Sequence, residues 1–286
     1  MIYFKKELEK RSDNRITVEL FFSGILGKES EVLDMVKKGT IQGCRGGLFE
    51  RANRKYIIYT LPFIFQNSSQ MLKLLDSDFG KTINAEALSN GYYIPVCGIA
   101  GGLRNITTNT RPIHTPDDIA GMTLRTPPID ITIKTFDMLG AMPEQIPYTE
   151  TYMALKNDIV DGQENPLSNI VDMKFYEVQK YLSLVSWQAH PDPFYVNPGW
   201  YNSLPDDLRR IFDDVSVETM TFSNQVWLDS ENDFLQFLKS KMEINEVSPE
   251  HIGLFKAAVQ PVWRRYIEEG YFTEEDLRKV REIISG

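Results

Sequence analysis

The stretch GMTLRTPPIDITIKTF, residues 121–136, joins a short apolar strand to a helix and places one arginine, Arg125, at the junction. Met122 and Leu124 alternate with polar residues and predict the strand. The two prolines that follow stiffen the turn before an apolar-periodic helix. In open α/β sheets, ligands gather beyond the carboxyl ends of strands. We therefore expect the Arg125 guanidinium to face a crevice, in a position suited to an anion.

Strand and helix signals alternate along the rest of the chain, which indicates an α/β architecture with largely parallel strands. RITVELFF (15–22) predicts a strand, and the segment that follows predicts a helix ended by Gly39. KNDIVDGQENP (156–166) predicts a short strand, after which Asn165 and Pro166 suit the start of a helix. Residues from about 208 to 242 predict one long helix or two abutting helices. Thr273 is predicted to cap the last helix.

The composition is that of an ordinary globular chain. Its 286 residues are 42% apolar and 25% charged, enough for two modest lobes. The net charge of −9 argues against a nucleic-acid or anionic-membrane surface. No run approaches the ~18 apolar residues of a membrane span, and the N-terminal residues lack the apolar core of a signal peptide. Cys44 and Cys97 are expected to be buried free thiols rather than a disulfide.

The motifs of most enzymes and metal proteins are absent. The three histidines are scattered, and neither a nucleophile motif nor a cofactor fingerprint occurs, so neither a metal nor a cofactor is predicted. A guanidinium such as that of Arg125 matches a carboxylate bidentately and stays charged at physiological pH. Two functions remain open: binding of a small carboxylate, or an α/β enzyme that acts on one. A third reading is that Arg125 is only a structural ion-pair residue.

Several motifs resemble those of the DctP family, the extracytoplasmic substrate-binding proteins of TRAP (tripartite ATP-independent periplasmic) transporters. They are LPFIF, DDIAGMTLRTP, LGAMPEQIPYTETYMAL, DGQENP and FYEVQKYLSL, in order along the chain. The resemblance implies a two-lobed α/β fold of the periplasmic-binding-protein type, class II. Each lobe would be a sheet flanked by helices, with a long helix spanning both. The expected first lobe is 1–102 plus about 191–228, and the second is 103–190 plus about 229–286.

The resemblance also implies a function. The chain would bind an organic acid (a sugar acid, a hydroxy or keto acid, or a dicarboxylate) by closure of the lobes. It would deliver that acid to TRAP membrane subunits, acting in the periplasm as a monomer and without a cofactor. Pro128 stands where sialic-acid binders carry an asparagine, which argues against sialic acid. The chain starts within a helix that a strand precedes in family members, so we expect a truncated N-terminus.

The candidate site residues follow from the same resemblance. In the family the arginine of the G-x-x-x-R-x-P motif pairs with the substrate carboxylate, and Arg125 stands in that place. Arg104 corresponds to a second family arginine, and Asn165 to the asparagine of DGQENP. Tyr148 takes the aromatic position before the next helix, and Trp187 is a further aromatic candidate. For the two aromatic residues, packing in the core is the alternative.

Overall fold

The computed structural model describes residues 1–286 and divides into two compact units. The first unit comprises Met1–Tyr56, Leu72–Ile99 and Pro191–Val226; the second comprises Ile57–Met71, Ala100–His190 and Trp227–Gly286. The segment 57–71, expected in the first lobe, belongs to the second unit. Its backbone is held there, because Phe63 N donates to the Trp187 carbonyl (2.6 Å) and Trp263 Nε1 donates to the Pro62 carbonyl (3.1 Å).

Helices and strands alternate through both units, as the sequence predicts. The helices are α1 (Ile2–Arg11), α2 (Glu29–Lys38), α3 (Ser68–Asp76), α4 (Asp78–Glu86), α5 (Asp130–Met138), α6 (Thr151–Lys156), α7 (Leu167–Asp172), α8 (Pro198–Ser203), α9 (Asp206–Lys239), α10 (Pro249–Glu268) and α11 (Glu274–Ser285). The strands are β1 (Gly43–Arg45), β2 (Cys97–Ile99), β3 (Arg104–Thr108), β4 (Thr123–Thr126), β5 (Met142–Gln145), β6 (Gly162–Pro166), β7 (Tyr181–Gln188), β8 (Pro191–Val196) and β9 (Glu243–Glu246). None of the helices combines the length and the apolar character that a bilayer span requires.

The first unit is built on a three-stranded sheet in the order β1-β8-β2, with both pairings antiparallel. Phe4 of α1 packs edge-on against Phe194 of β8 and Phe212 of α9, which forms an aromatic core. The strand predicted at 15–22 is wrong. Ile16 is buried there, but the N–H groups of Ile16 and Val18 donate to the side chains of Ser12 and Glu9 instead of to another strand.

The second unit is built on a six-stranded sheet in the order β5-β4-β6-β3-β7-β9. β4 runs parallel to β5 and β6, and β7 runs parallel to β9, whereas β3 is antiparallel to both of its neighbours. The prediction of largely parallel strands is therefore wrong for β3 and for the whole sheet of the first unit. β3 begins at the sheet edge where β4, β6 and β7 end, so it must run against them.

Apolar residues cover both faces of this sheet. Leu124, Phe136 and Trp187 share a core with Phe255 and Val259 of α10. A second core holds Leu155, Ile170, Phe175, Leu182 and Leu238. These two cores fix the sheet between helices, which gives the strand ends a rigid support.

Several local predictions are tested directly by the helix ends. The long helix is confirmed as the single helix α9, which belongs to the first unit up to Val226 and to the second from Trp227. Gly39 ends α2 with φ +78°, and Thr273 caps α11 by accepting from Asp276 N. The expected cap at Asn165 is wrong, because Asn165 lies inside β6 and α7 starts only after Pro166.

The two cysteines are free, as predicted. Cys97 is buried in β2, and Cys44 is half-buried in β1. Burial raises the pKa of Cys44 to about 12 and also raises that of Cys97 well above its ordinary value. Both side chains therefore stay protonated at physiological pH and behave as small apolar groups.

Candidate ligand-binding site

One edge of the six-stranded sheet gathers buried polar side chains. β4, β6 and β7 end at this edge and β3 begins there, which brings together Arg125, Asn165, Gln188 and Arg104. All four residues are at most 4% exposed. Polar groups at this depth are stable only when hydrogen bonds or ion pairs replace their lost hydration. The contacts of each residue therefore determine what this edge can bind.

Arg125 lies near the carboxyl end of β4 and is 2% exposed. Its Nε donates to the carbonyl of Ile146, just beyond β5, over 2.9 Å. The strand register places it beside Glu144 on β5 and Gln163 on β6. After the two prolines, α5 begins at Asp130. The backbone and the Nε of this arginine are thus fixed by secondary structure, while its fork lies at the polar edge of the sheet.

Arg104 forms a bidentate ion pair with Glu164. Its Nε bonds to Glu164 Oε2, and its Nη2 donates to Glu164 Oε1 over 2.8 Å. Nη2 also donates to the Glu164 carbonyl (2.8 Å) and to Asn165 Oδ1 (3.2 Å). The two charged side chains are only 5% and 1% exposed. The position of Arg104 is therefore set by an internal carboxylate.

Glu164 is not among the residues predicted from the sequence. The available signal was a carboxylate inside the buried strand DGQENP, with no cation nearby in the sequence. A buried carboxylate requires a partner, and the fold supplies Arg104, which lies 60 residues earlier. This partner could not be identified without the pairing of β3 with β6.

A chain of hydrogen bonds orients Asn165. Its Nδ2 donates to Gln163 Oε1 (2.5 Å), whose Nε2 in turn donates to Thr107 Oγ1 (2.9 Å). Thr107 Oγ1 donates to Gln179 Oε1 (3.0 Å). Asn165 Nδ2 is thus directed towards Gln163, and the carbonyl oxygen Oδ1 accepts from Arg104 Nη2. Gln163 and Asn165 share one face of β6 through the two-residue repeat of a strand, which the sequence alone could have shown.

The two predicted aromatic residues lie in different surroundings. Tyr148, in a 3₁₀ turn after β5, is 37% exposed, yet desolvation of its hydroxyl raises its pKa to about 12. The charge of Asp172 adds to that rise in pKa, and the charges of Arg104 and Arg125 oppose it. Trp187 is buried against Phe136, with their ring centroids 5.0 Å apart, and its indole Nε1 has no hydrogen-bond partner.

His190 and Gln188 complete the buried polar set, although neither is among the predicted site residues. His190 Nε2 lies 2.7 Å from Gln188 Oε1, and Gln188 Nε2 donates to the Thr60 carbonyl over 2.6 Å. Burial, and then the charges of Arg104 and Arg125, lower the pKa of His190 well below its ordinary value. The imidazole is therefore neutral at physiological pH and does not add a third positive charge beside the two arginines.

The arrangement is suited to holding an anion. Guanidinium groups bind carboxylates through paired, charge-assisted hydrogen bonds, and a donor held in place before binding loses little entropy. Arg104, Arg125 and Asn165 lie at this one edge, and Tyr148 follows two residues after Ile146, whose carbonyl accepts from Arg125. Trp187 instead lies within the apolar core that includes Phe136. The chain has no group of three or more His, Cys, Asp or Glu side chains that could hold a metal ion.

Comparison with known families gives an independent result. The DctP model, described as bacterial extracellular solute-binding protein, family 7, matches residues 1–269. The C4-dicarboxylate-binding protein DctB of Bacillus subtilis is 27% identical over 284 residues, which cover 98% of this chain and 80% of DctB. The similarity therefore extends over both units.

Solved structures share the same fold. A TRAP periplasmic solute binding protein from Roseobacter denitrificans, with bound β-D-glucuronate, is 26% identical with a TM-score of 0.91, over 100% of this chain and 93% of that one. One from Desulfovibrio salexigens, with bound orotic acid, is 27% identical with a TM-score of 0.92, over 99% and 93%. The chain thus belongs to the DctP family, family 7 of the bacterial extracellular solute-binding proteins, which bind solutes for TRAP transporters and are not enzymes.

Proposed function

We propose that this chain binds an organic acid at the polar edge of its six-stranded sheet, with Arg125 as the carboxylate-binding residue. The observation that carries the proposal is the placement of this arginine, which is buried at a strand end and held at Nε by the Ile146 carbonyl. Its planar fork matches the two oxygens of a carboxylate, and lysine would offer only a point charge. Fixing the fork beforehand reduces the entropy lost on binding.

Three further residues would contact the rest of the acid. Arg104 offers its Nη1, which donates to no protein atom. Asn165 lies beside Arg104, because its Oδ1 accepts from Arg104 Nη2. Tyr148 offers a phenol that stays protonated at physiological pH, because its pKa is about 12. A direct contact between Trp187 and the ligand stays a prediction.

The ligands of the relatives support a carboxylate as the recognised group. Glucuronate, orotic acid and C4-dicarboxylates differ in size, ring and hydroxyl content, but each carries at least one carboxylate. The candidate ligands of this chain are accordingly sugar acids, hydroxy or keto acids, and dicarboxylates. Catalysis on the acid is the competing hypothesis, and membership of a solute-binding family argues against it.

The family also suggests where and with what the chain acts. We propose that it works in the periplasm, as a monomer, and delivers the acid to TRAP membrane subunits. Closure of two lobes around the acid stays a prediction. Small-angle scattering with and without ligand tests the closure, because a closed form has a smaller radius of gyration.

Two measurements test the binding function. Mass spectrometry of the small molecules released on denaturation should identify a carboxylic acid that copurifies. Isothermal titration against a panel of organic acids should then give one-to-one binding, with the ligand recovered unchanged. D-glucose is the matched control for D-glucuronate, because it differs only in carrying a CH2OH group in place of the carboxylate, and it should not bind. Equal binding of a sugar and its acid, or turnover of the acid, would contradict the proposal.

A further inference from the structure

We propose that Thr107 and Gln179 are positioning residues for ligand binding, although neither lies at the polar edge of the sheet. They act through Gln163 on Asn165, by fixing which side of its amide group faces Arg104. This inference rests on the proposed function and adds residues that influence the same site from a distance.

Four buried polar residues form one continuous path through the second unit. Asn165 and Gln163 lie two residues apart on β6, so their side chains share one face of the sheet. Thr107 pairs with Gln163 near the end of β3, and Gln179 lies just before the start of β7. The path therefore leads away from the polar edge of the sheet. All four residues are at most 4% exposed.

Every hydrogen bond along this path points in the same direction. Asn165 Nδ2 donates to Gln163 Oε1, and Gln163 Nε2 donates to Thr107 Oγ1. Thr107 Oγ1 then donates to Gln179 Oε1, and Gln179 Nε2 donates to the carbonyl of Val178 over 3.0 Å. A hydroxyl can accept one hydrogen bond while it donates another, so Thr107 joins the two halves of the path.

The two ends of the path fix its direction. At one end, the guanidinium of Arg104 can only donate, and its Nη2 donates to Asn165 Oδ1. At the other end, the backbone carbonyl of Val178 can only accept. Turning the Asn165 amide over would place its NH2 group against a donor of Arg104, and its oxygen against the oxygen of Gln163. The path therefore holds this amide in one orientation.

A fixed amide matters for binding because Asn165 is one of the proposed ligand contacts. Its NH2 group carries two hydrogens, and Gln163 takes up one of them. The other can donate to an oxygen of the acid. A donor that is held in place before the ligand arrives loses little entropy on binding. If the path is broken, the amide can turn over and present its oxygen to the acid, which repels a carboxylate.

The test cuts the path at Thr107 without changing the charge of the protein. Thr107→Val keeps the branched shape of the side chain but removes the hydroxyl that joins Gln163 to Gln179. The probe is whichever of D-glucuronate, succinate and orotate the wild type binds most tightly in isothermal titration. Thr107→Val should raise the dissociation constant about tenfold. Thr107→Ser keeps the hydroxyl and should stay within about twofold of the wild type.

Thr108→Val is the matched control for the loss of a buried hydroxyl. Thr108 is the next residue of β3, is fully buried, and donates to the Arg111 carbonyl over 2.6 Å. Its side chain lies on the opposite face of the sheet, because successive residues of a strand alternate. Both valine variants should be less stable to denaturant than the wild type, but only Thr107→Val should weaken binding.

A double-mutant cycle shows whether the effect passes through Asn165. In the Asn165→Ala protein no amide is left to orient, so adding Thr107→Val should change the dissociation constant by less than about twofold. If Thr107→Val does not fold, Gln179→Met replaces it in the cycle. Gln179 lines a surface cavity with Tyr152 and Lys180, so a change there disturbs little packing. It should weaken binding about threefold or more in the wild-type background and not in Asn165→Ala.

Two outcomes would overturn the inference. One is a folded Thr107→Val protein that binds the acid as tightly as the wild type does. The other is a loss of affinity that is equally large in the Asn165→Ala background, because a structural role alone predicts that result. A wild-type protein that binds no acid at all would instead overturn the proposed function on which the inference rests.

Discussion

The second unit buries ionised side chains, whereas the first unit buries only neutral polar ones. Arg104, Arg125 and Glu164 are all at most 4% exposed and all belong to the second unit. The buried polar residues of the first unit are Ser12, Asn53, Asn197, Ser216 and Thr219. The ion pair of the first unit between Arg45 and Asp192 keeps 20% and 13% of its side-chain surface exposed.

This difference is informative because buried charge rarely stabilises a fold. Removing two ions from water costs several kcal/mol, and apolar residues of the same volume often do as well or better. The first unit, with its aromatic core around Phe4 and Phe212, shows how this chain builds a compact unit without buried ions. The charges at the edge of β3, β4 and β6 therefore require another explanation, and recognition of an anion provides one.

The largest effect on stability should follow from breaking the ion pair of the second unit. Glu164→Ala leaves Arg104 charged and buried, which should lower the free energy of unfolding by about 3–5 kcal/mol. Asp192→Ala breaks the more exposed pair with Arg45 and should cost only ~1 kcal/mol. Denaturant unfolding of both variants measures the difference. Equal losses would mean that the buried pair carries no special cost.

The two units should also contribute differently to the pH dependence of stability, the second unit at acid pH and the first at alkaline pH. His190, in the second unit, has a folded-state pKa well below its ordinary value of 6.5. Below about pH 6.5 the unfolded chain binds a proton there and the folded chain does not. The free energy of unfolding should therefore fall with falling pH, by up to ~1.4 kcal/mol per pH unit from this group. His190→Asn should remove this part of the slope.

In the first unit Cys97 has the reverse effect. Its folded-state pKa is raised well above the ordinary value of 9.0, chiefly by burial. Above about pH 9 the unfolded chain releases a proton that the folded chain keeps. Stability should therefore fall with rising pH, again by up to ~1.4 kcal/mol per pH unit. Unfolding curves of the wild type and Cys97→Ala check this, and identical alkaline slopes would contradict it.

The smallest changes in unfolding free energy, those from removing a helix cap, should be equal in the two units. Ser77 caps α4 in the first unit by accepting from Gly80 N (3.2 Å), and Thr273 caps α11 in the second by accepting from Asp276 N (3.1 Å). Replacing either residue with alanine should cost ~1 kcal/mol of unfolding free energy and leave ligand affinity unchanged. A cap in one unit that alters affinity would show that the difference between the units is not confined to buried charge.

Features with a local cause could be predicted from the sequence. Gly39 and Thr273 mark helix ends through their own backbone conformation or side chain, and both predictions are confirmed. The long helix is confirmed as α9, which is 34 residues long, and the helical spacing of its apolar residues is also a local signal. Arg125 could be assigned to the end of a strand because the alternation before it and the two prolines after it are local signals.

Features that depend on distant partners could not be predicted. Glu164 and Arg104 are 60 residues apart, and nothing near either residue specifies the other. The direction of β3 depends on which strands flank it. Asn165 resembles a helix cap in its local sequence, and only its pairing with Asn105 of β3 shows that it belongs to a strand. The grouping of 57–71 with the second unit depends on contacts with Trp187 and Trp263, which lie far along the chain.

The most direct test of the proposed function is isothermal titration of Arg125→Ala with the acid that the wild type binds most tightly. Loss of one partner from a buried ion pair costs about 2–5 kcal/mol, which raises the dissociation constant by roughly 30-fold to several thousand-fold. Arg111→Ala, at an exposed arginine that donates to the carbonyls of Asp118 and Ala120, should bind like the wild type. If Arg125→Ala retains its circular dichroism spectrum and its affinity stays within about twofold of the wild type, the guanidinium at position 125 does not hold the acid.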